Sequence, residues 1–342
     1  LKHLKLCKKL EVLSFQSTPL LTQHVGEFLE FKELRLLNLG NIAGGGEIEL
    51  FGLPELVELN FQHCKNLAKL HLHDLPKLQH IDVQGLSPPE SIVIERIGEL
   101  DNFVFAVSHY DKIKPQVTLH DVPKLAQIDV EFAKSLSVKG VPKLSYLAIR
   151  LGTPMDNSEL QQLTALDNAR LYGMKGKTIP LDRWPKLHVL MTDAILLPEH
   201  LENLPQINRC IYGDASRLTD ADFAHLRGHP NLKIVRLTSC GQLTDKCLEH
   251  MGTVSKLSHL HLPVAQFTDE GLAHLSGCNF LEDISFDANK QLTGTGFQHL
   301  WTLPNLTRVS VHNCGLTAAG ERVVRALPKL THLQIGSVEL QQ

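Results

Sequence analysis

Three histidines and two aspartates lie within the sixteen residues 71–86, HLHDLPKLQHIDVQGL. Imidazole nitrogens and carboxylate oxygens are common ligands of zinc and related metal ions, so this stretch raises the question of a metal site. The chain then repeats almost the same phrase at residues 119–130, LHDVPKLAQIDV, where Gln127 replaces His80. A copy that lacks one of the histidines favours a repeated scaffold over a set of metal ligands.

A second histidine pair, His259 and His261, is separated by a single leucine. Alternate side chains of a β-strand point the same way, and Asp283 or Asp287 would lie on the next strand, about 4.8 Å away. Two histidines and one carboxylate can hold zinc or iron(II). The alternative is a polar exposed surface. We favour that alternative and predict no metal or other cofactor.

Four further histidines form a regular column, each six residues after a threonine. We place them on successive helices, whose axes lie about 8–10 Å apart, whereas two imidazoles on one zinc need nitrogens about 2.0–2.1 Å from the ion. We therefore interpret the column as part of a scaffold. Its members are His225, His250, His274 and His299.

Other signatures of catalysis are missing from the sequence. The GGG at residues 44–46 lacks the Lys-Ser/Thr of a phosphate-binding loop, and there is no G-x-S-x-G motif. The seven cysteines include no CxxC pair, which indicates neither a disulfide framework nor a zinc knuckle and favours a reducing compartment. We predict that the chain is not an enzyme.

Charge and hydropathy narrow the class of partner. The 34 lysines and arginines are balanced by 37 aspartates and glutamates, which gives no overall attraction to nucleic acid or to an anionic membrane. No apolar run approaches the roughly 18–20 residues that a membrane span needs. We predict a protein or peptide partner in preference to nucleic acid, and no membrane association.

The element L-x-x-L-x-L recurs along the whole chain, and its fourth residue advances from Leu13 to Leu333 in fourteen steps over 320 residues, about 23 residues a step. Alternation over five or six residues predicts a short strand with one buried face. One such unit cannot bury its apolar face alone, so neighbouring units must stack. The fifteen copies begin at Leu10, Leu34, Leu56, Leu78, Leu100, Leu125, Leu144, Leu166, Leu187, Ile207, Leu232, Leu257, Leu281, Leu306 and Leu330.

This pattern resembles the leucine-rich-repeat superfamily. The longer form L-x-x-L-x-L-x-x-(N/C)-x-x-L fits residues 56–67, 232–243 and 281–292. The resemblance implies an α/β solenoid, curved as a horseshoe of about 15 turns around a parallel inner sheet. It also implies that the N/C position points inward and holds the backbone of the turn. The residues at that position here are Cys64, Cys240 and Asn289.

The segments between the inner strands divide the chain into two halves. Within residues 1–150, a second strand motif appears at half the period and predicts strands on the outer side, as at residues 67–72 and 91–94. From residue 219 each return segment instead begins with threonine, often followed by aspartate, which is a good helix start. This half resembles the cysteine-containing or ribonuclease-inhibitor-like subtype, with short outer helices, as in bacterial repeat proteins. The threonines are Thr219, Thr244, Thr268, Thr293 and Thr317.

We interpret residues 151–218 as an irregular junction and predict one continuous solenoid over residues 1–342. This architecture also decides where the first histidines lie. His71 and His73 belong to an outer strand, whereas His80 and Asp82 flank the buried residue of an inner strand. The two pairs point to opposite sides, so we predict that these histidines do not converge on a metal ion.

Exposed positions of the inner strands are where this architecture binds partners, and a track of basic and aromatic residues crosses the middle turns. Tyrosine, methionine and arginine are the types enriched at interfaces. We predict a non-catalytic protein-interaction scaffold that binds a protein or peptide on its concave face. The predicted binding residues are Tyr146, Arg150, Arg170, Tyr172, Met191, Arg209, Ile211, Arg236, His259 and His261.

Two alternative functions stay open. The chain begins at Leu1 rather than Met, which is compatible with the recognition region of a larger protein, such as a secreted effector, a ubiquitin-ligase adaptor or a regulator. A metal-dependent protein would use His259 and His261. A protein for an anionic ligand would use the arginine track, and its binding would depend strongly on salt.

Overall fold

The computed structural model describes residues 7–15, 22–42, 46–106, 111–202 and 210–336. Within these ranges the chain forms short strands that recur once or twice in each repeat. The strands are β1 (Val12–Ser14), β2 (Leu36–Asn38), β3 (Gly46–Phe51), β4 (Glu58–Asn60), β5 (Leu67–His73), β6 (His80–Asp82), β7 (Ser91–Glu95), β8 (Asn102–Ala106), β9 (Gln116–His120), β10 (Gln127–Ala133), β11 (Ser135–Lys139), β12 (Tyr146–Leu151), β13 (Asn168–Tyr172), β14 (Val189–Ile195), β15 (Cys210–Asp214), β16 (Ile234–Thr238), β17 (His259–His261), β18 (Asp283–Ser285), β19 (Arg308–Ser310) and β20 (His332–Gln334).

The inner strands, which carry the L-x-x-L-x-L element, pair in parallel with the strand of the next repeat. One sheet has the order β1-β2-β4-β6, and a second has eleven strands in the order β20-β19-β18-β17-β16-β15-β14-β13-β12-β10-β8. The register places one buried apolar residue opposite another, as where Leu37 pairs with Leu59 and Leu260 pairs with Ile284. The prediction of an α/β solenoid with a parallel inner sheet is confirmed.

A third sheet contains the outer strands β3, β5, β7, β9 and β11. Side chains alternate between core and solvent along β7, β9 and β11, and in β7 Ile92 and Ile94 are fully buried. This confirms the outer strands predicted from residues 67–72 and 91–94. The outer segment before β2 differs, because Thr22–Glu30 forms a 3-10 helix instead of a strand.

The later outer segments are short helices, as predicted. The α-helices are α1 (Asn157–Leu160), α2 (Pro198–Glu202), α3 (Asp245–Met251) and α4 (Ala318–Arg325), and the 3-10 helices after the first are Leu181–Arg183, Asp220–Leu226, Gly271–Leu275 and Thr295–Leu300. Threonine is the N-cap residue at Thr219, Thr244 and Thr317. The same prediction is wrong at Thr268 and Thr293, because the helices that follow them begin after Glu270 and Gly294.

The aspartate after these threonines bonds to the following repeat. Asp220 accepts from Thr244 N (2.8 Å) and Thr244 Oγ1 (2.6 Å), and Asp245 accepts from Thr268 N (2.9 Å) and Thr268 Oγ1 (2.5 Å). Asp269 likewise accepts from Thr293 Oγ1, and its backbone donor is Gly294 N (3.0 Å). We call Asp220, Asp245 and Asp269 the aspartate ladder. These carboxylates fasten each helix start to the turn before it, a role that the prediction of caps within each helix did not include.

The interior is apolar and includes the predicted inward-pointing position of the turn. Asn289 is fully buried, accepts from Phe267 N (3.2 Å) and donates to Phe286 O (2.7 Å). The Cys64 thiol donates to Leu39 O at 3.0 Å. These contacts satisfy backbone groups that would otherwise be buried without partners. Asn289 and Cys64 therefore hold the backbone of the turn, as the resemblance implied for this position.

The described residues form two compact units. The described residues of the first unit lie within 1–167 and 171–174, and those of the second lie within 168–170 and 175–342. The continuous solenoid over the whole chain stays a prediction. None of the helices among the described residues is long and apolar enough to cross a membrane.

The repeat that contains β15 is shifted by one residue from its predicted phase. Ile211 pairs with Val235 and is 1% exposed, whereas Tyr212 pairs with Arg236 on the open side. The next core position is Gly213, where an added Cβ would lie 2.6 Å from the side chain of Leu196. Leu196 thus occupies the space that the repeat leucine fills in other turns. Because Gly213 stands at that position, the sequence does not show which residues of this turn are the repeat positions.

Candidate functional site

The open side of the inner strands in the first unit carries an arginine between two aromatic rings. Arg150 is exposed at the end of β12, and its guanidinium carbon lies 5.1 Å from the ring centre of Tyr172 and 5.2 Å from that of Phe132. Lys114 Nζ is 5.6 Å from the same Phe132 ring. Tyr146 is half-buried at the start of β12. Stacking holds the Arg150 side chain in place while leaving its N–H groups available to a ligand.

Phe132 reaches this cluster through a local irregularity of β10. The register between β10 and β12 shifts between Glu131 and Ala133, and Phe132 has a left-handed φ of 59°. Regular alternation would send the side chain of residue 132 into the core. The bulge instead turns it outward, a re-aiming that bulges commonly produce. Alternation alone therefore could not identify this residue.

The second unit repeats the pairing of arginine with tyrosine. The guanidinium carbon of Arg236 lies 5.6 Å from the ring centre of Tyr212. Met191, in register with Tyr212, is half-buried beside it. Arg170 is also half-buried on β13. The sequence pattern does not predict Tyr212 on this side, because it assigns the fourth repeat position to Cys210 and the structure assigns it to Ile211.

One of the predicted binding residues is not on this surface. Ile211 lies in the core, so its predicted place on the exposed side of the inner strands is wrong. Its side chain packs where the adjacent repeats place Val235 and Leu190, because all three share one row of the register. Arg209 lies outside the described residues.

Asp283 is the centre of a polar cluster on β16 to β19. His261 Nε2 lies 3.0 Å from Asp283 Oδ1, in an electrostatic contact that is poorly aligned for a hydrogen bond. Arg308 Nε donates to Asp283 Oδ2 at 3.2 Å, and Arg236 Nη2 lies 3.5 Å from the same oxygen. Arg308 Nη2 also donates to His259 Nε2 at 3.3 Å. We call these five residues the Asp283 cluster.

Burial and charge set the protonation of this cluster. Burial alone would raise the pKa of Asp283, but His261 and Arg308 outweigh it and the pKa falls below its usual value. Burial lowers the pKa of His261 and of His259, Asp283 partly offsets that effect, and Arg236 adds to it. At neutral pH the imidazoles are therefore neutral, and Asp283 is ionised beside the guanidinium groups of Arg236 and Arg308.

This geometry does not favour the alternative of a metal ion at His259 and His261. The predicted neighbour Asp283 is indeed opposite His259 across β17 and β18. However, its carboxylate already contacts two guanidinium groups, and Arg308 donates to the His259 nitrogen. A metal cation here would be repelled by both arginines and would compete with one of them for its ligand. The cluster is suited to an anion.

The first unit also has a groove of about 660 Å³ on the open side of its inner strands. Polar side chains of successive turns line its floor, and Gln62 Nε2 donates to Asp82 Oδ2 at 2.6 Å beside it. Val104, which is 58% exposed, contributes an apolar wall. The groove offers extended chains both hydrogen-bonding groups and an apolar contact.

The buried cysteines have thiols that stay protonated. Burial raises the pKa of Cys240 to about 12 and that of Cys278 and Cys314 to about 11. Cys64 and Cys247 are shifted in the same direction for the same reason. Only the thiolate is a strong nucleophile, so none of these five thiols is activated. Four of the cysteines are small core residues, and Cys314 is half-buried.

Comparisons with known proteins extend these observations. No family model matches the chain, and no curated protein matches it. Among solved structures it is similar to an internalin of Listeria monocytogenes, with 16% identity, 91% of this chain and 83% of that chain covered, and a TM-score of 0.49. It is also similar to a leucine-rich-repeat protein of Leptospira interrogans, with 15% identity, 97% and 98% covered, and a TM-score of 0.45.

A third similar structure is the functional domain of InlJ from Listeria monocytogenes, described as including a cysteine ladder, with 15% identity, 90% and 60% covered, and a TM-score of 0.39. These are distant likenesses of fold. The assignment of this chain rests on its own features: the 23-residue recurrence, the parallel inner strands with paired apolar residues, and the buried Asn289 that holds its turn. By these features the chain has the fold of leucine-rich-repeat proteins.

Proposed function

We propose that the chain is a non-catalytic binding protein that docks a protein or peptide on the open side of its inner strands. One observation carries this proposal: each unit presents an arginine stacked on a tyrosine of the neighbouring strand, Arg150 on Tyr172 and Arg236 on Tyr212. Arginine and tyrosine are, with tryptophan, the residues enriched among energetic hot spots of protein interfaces.

Pre-organisation supports the same function. A side chain already held by stacking loses little conformational freedom when a partner binds, so more of the contact energy appears as affinity. The inner strands also provide a rigid base, because each pairs with strands of the adjoining repeats. Residues on such a base keep their relative positions better than residues on loops.

The charge of the Asp283 cluster indicates the chemistry of the partner. Two arginines and two histidines surround a single carboxylate whose side chain is only 13% exposed. An acidic side chain or a terminal carboxylate of the partner would therefore meet two guanidinium groups that outnumber the largely buried Asp283 carboxylate. Guanidinium groups bind carboxylates through paired hydrogen bonds, which gives orientation as well as affinity.

Alanine variants of the stacked arginines test the proposal. Proteins captured by the full chain from a lysate would be identified, and the affinity of each purified partner would be measured for Arg150→Ala, Arg236→Ala and the double variant. We expect at least a tenfold loss of affinity for the double variant, as for hot-spot residues. Arg322→Ala on the outer helix α4 is the matched control and should bind as the native chain does.

Two results would contradict the proposal. One is a set of partners whose affinity is unchanged in the double variant but falls in the Arg322 control, because the binding surface would then be the outer side. The other is preferential binding of nucleic acid, measured with single-stranded RNA and DNA, with an affinity that decreases steeply as salt increases. That result would support the anionic-ligand function instead.

A further inference from the structure

The outer sheet of the first unit brings together three side chains of the metal-binding types. Glu49 on β3 lies opposite His71 on β5, and His73 follows two residues later on the same face. Glu49 Oε1 lies 3.4 Å from His71 Nδ1 and 3.1 Å from His73 Nε2. The three ligand atoms all lie within 4.8 Å of one another. Glu49 lies 22 and 24 residues before the two histidines, so the spacing in the sequence does not reveal this convergence.

We propose that Glu49, His71 and His73 form a binding site for a divalent transition-metal ion such as Zn²⁺. In a tetrahedral zinc site with bonds of about 2.0 Å, neighbouring ligand atoms are about 3.3 Å apart. The two distances from the glutamate oxygen already match this separation. Two imidazoles and a carboxylate suit zinc, cobalt(II) and iron(II) more than magnesium or calcium, which prefer oxygen ligands.

In each imidazole, the ring nitrogen that faces away from Glu49 contacts a further carboxylate. His71 Nε2 is 2.9 Å from Glu95 Oε1, and His73 Nδ1 is 2.7 Å from Asp74 Oδ2. A histidine that donates one N–H to a carboxylate presents the lone pair of its other nitrogen to a metal ion. These contacts therefore direct His71 Nδ1 and His73 Nε2, the two nitrogens nearest Glu49, toward the proposed ion.

Arg96 completes this outer layer. Its Nε donates to Asp74 Oδ1 at 2.8 Å, and its Nη1 lies 3.1 Å from Glu95 Oε2. Its Nη2 also lies 3.3 Å from His73 Nδ1, but the carboxylate oxygen of Asp74 is closer to that nitrogen. The guanidinium therefore contacts both of the carboxylates that hold the imidazoles.

Packing and exposure also suit a metal ion. The ring of Phe51 stacks on that of His73 with centres 4.9 Å apart and planes 8° apart, which limits rotation of the imidazole. The His73 side chain is 14% exposed and that of Glu49 is 57% exposed. The ligands thus combine a fixed histidine with an accessible carboxylate, and water has access to the remaining coordination position.

The matched control is built into the chain. His259-Leu-His261 repeats the same tripeptide on a strand, but its carboxylate neighbour contacts two arginines. Zn²⁺ binding to the full chain, after removal of bound metal with a chelator, would be measured by calorimetry. We expect one Zn²⁺ per chain, at least a tenfold loss of affinity in His71→Gln/His73→Gln, and native affinity in His259→Gln/His261→Gln. Thermal denaturation would check that every variant is folded.

Glu95→Gln separates a metal site from a simple histidine–glutamate ion pair. It leaves all three ligands in place and should lower Zn²⁺ affinity about 10- to 100-fold, as removal of a partner that orients a ligand does. Co²⁺ in place of Zn²⁺ should show visible absorption that is lost in the His71/His73 variant. The proposal is overturned if the native chain binds no Zn²⁺, or if the His71/His73 variant binds it with native affinity.

Discussion

The tripeptide His-Leu-His occurs once on a strand of each unit, and its neighbours give it opposite properties. On β5, His71 and His73 face Glu49, and carboxylates hold their outer nitrogens. On β17, His259 and His261 face Asp283, whose charge is already balanced by arginines of β16 and β19. The first arrangement is suited to a cation and the second to an anion, so the neighbouring strands decide the chemistry of the same local sequence.

The two units also differ in how their outer segments are joined. In the first unit, outer strands form a continuous hydrogen-bonded sheet, and exposed ion pairs such as Lys77 with Glu55 lie beside it. In the second unit, the outer helices share no such sheet, and the aspartate ladder connects each turn to the next. Backbone hydrogen bonds therefore join the outer segments of neighbouring turns in the first unit, and carboxylates join them in the second.

The largest effect is expected from breaking the ladder at Asp269. Its carboxylate accepts from Gly294 N at 3.0 Å, from Thr295 Oγ1 at 2.8 Å and from Thr293 Oγ1. Hydrogen bonds to a charged group contribute about 1.5–3 kcal/mol each, and the two hydroxyls can find water instead. Asp269→Ala should therefore lower the free energy of unfolding by about 2–4 kcal/mol in urea denaturation.

Glu270→Ala is the control for that experiment, because Glu270 is the exposed neighbour of Asp269. A surface substitution of this kind usually changes stability by less than about 0.5 kcal/mol. Equal effects of the two variants would mean that the ladder adds nothing beyond surface charge. The contrast drawn between the two units would then be wrong.

An intermediate effect is expected from acid in the second unit. Burial lowers the pKa of His200, His259 and His261 below the ordinary value of about 6.5. As the pH falls below that value, the unfolded chain takes up protons that the folded chain resists, so folding stability decreases. The loss should continue until the pH passes the lower pKa values of the folded state.

Hydrogen exchange at pH 7 and pH 5, corrected for intrinsic exchange rates, would measure this effect separately in each unit. Protection should fall in the second unit between these values, and His259→Gln/His261→Gln should reduce the difference. In the first unit, the lowered pKa values of Asp74 and Glu95 predict a loss only under more acidic conditions, near and below about pH 4. The charged groups facing the three histidines are Asp182, Glu199, Arg236, Glu282, Asp283 and Arg308.

The sequence was sufficient to predict the repeat, the inner sheet and the change from outer strands to outer helices, because these depend on apolar spacing. It failed where one residue breaks the spacing. Gly213 stands where a repeat leucine is expected, so Ile211 was placed on the surface and Tyr212 was overlooked. The bulge that turns Phe132 outward is a second such failure.

The candidate sites were harder to predict than the fold because they depend on register between strands. The sequence placed Asp283 beside His259 correctly but gave no indication that Arg236 and Arg308 would both reach the same carboxylate. It also gave no reason to pair Glu49 with His71, since 22 residues separate them. Only the alignment of β3 with β5 brings them together.

The smallest effect is expected for the exposed ion pair between Lys77 and Glu55 on the first unit. Lys77 Nζ lies 2.6 Å from Glu55 Oε2, and the two side chains are 55% and 39% exposed. Exposed pairs contribute about 0.2–1 kcal/mol, because water screens the charges and two flexible side chains must be ordered. A double-mutant cycle with Lys77→Ala and Glu55→Ala should give a coupling energy of at most about 0.5 kcal/mol, and added salt should reduce it. A coupling above about 1 kcal/mol that persists in salt would show that surface charges bind the turns of the first unit as firmly as the aspartate ladder is expected to bind those of the second. The two units would then differ in the residues that join their turns and not in the strength of the joint.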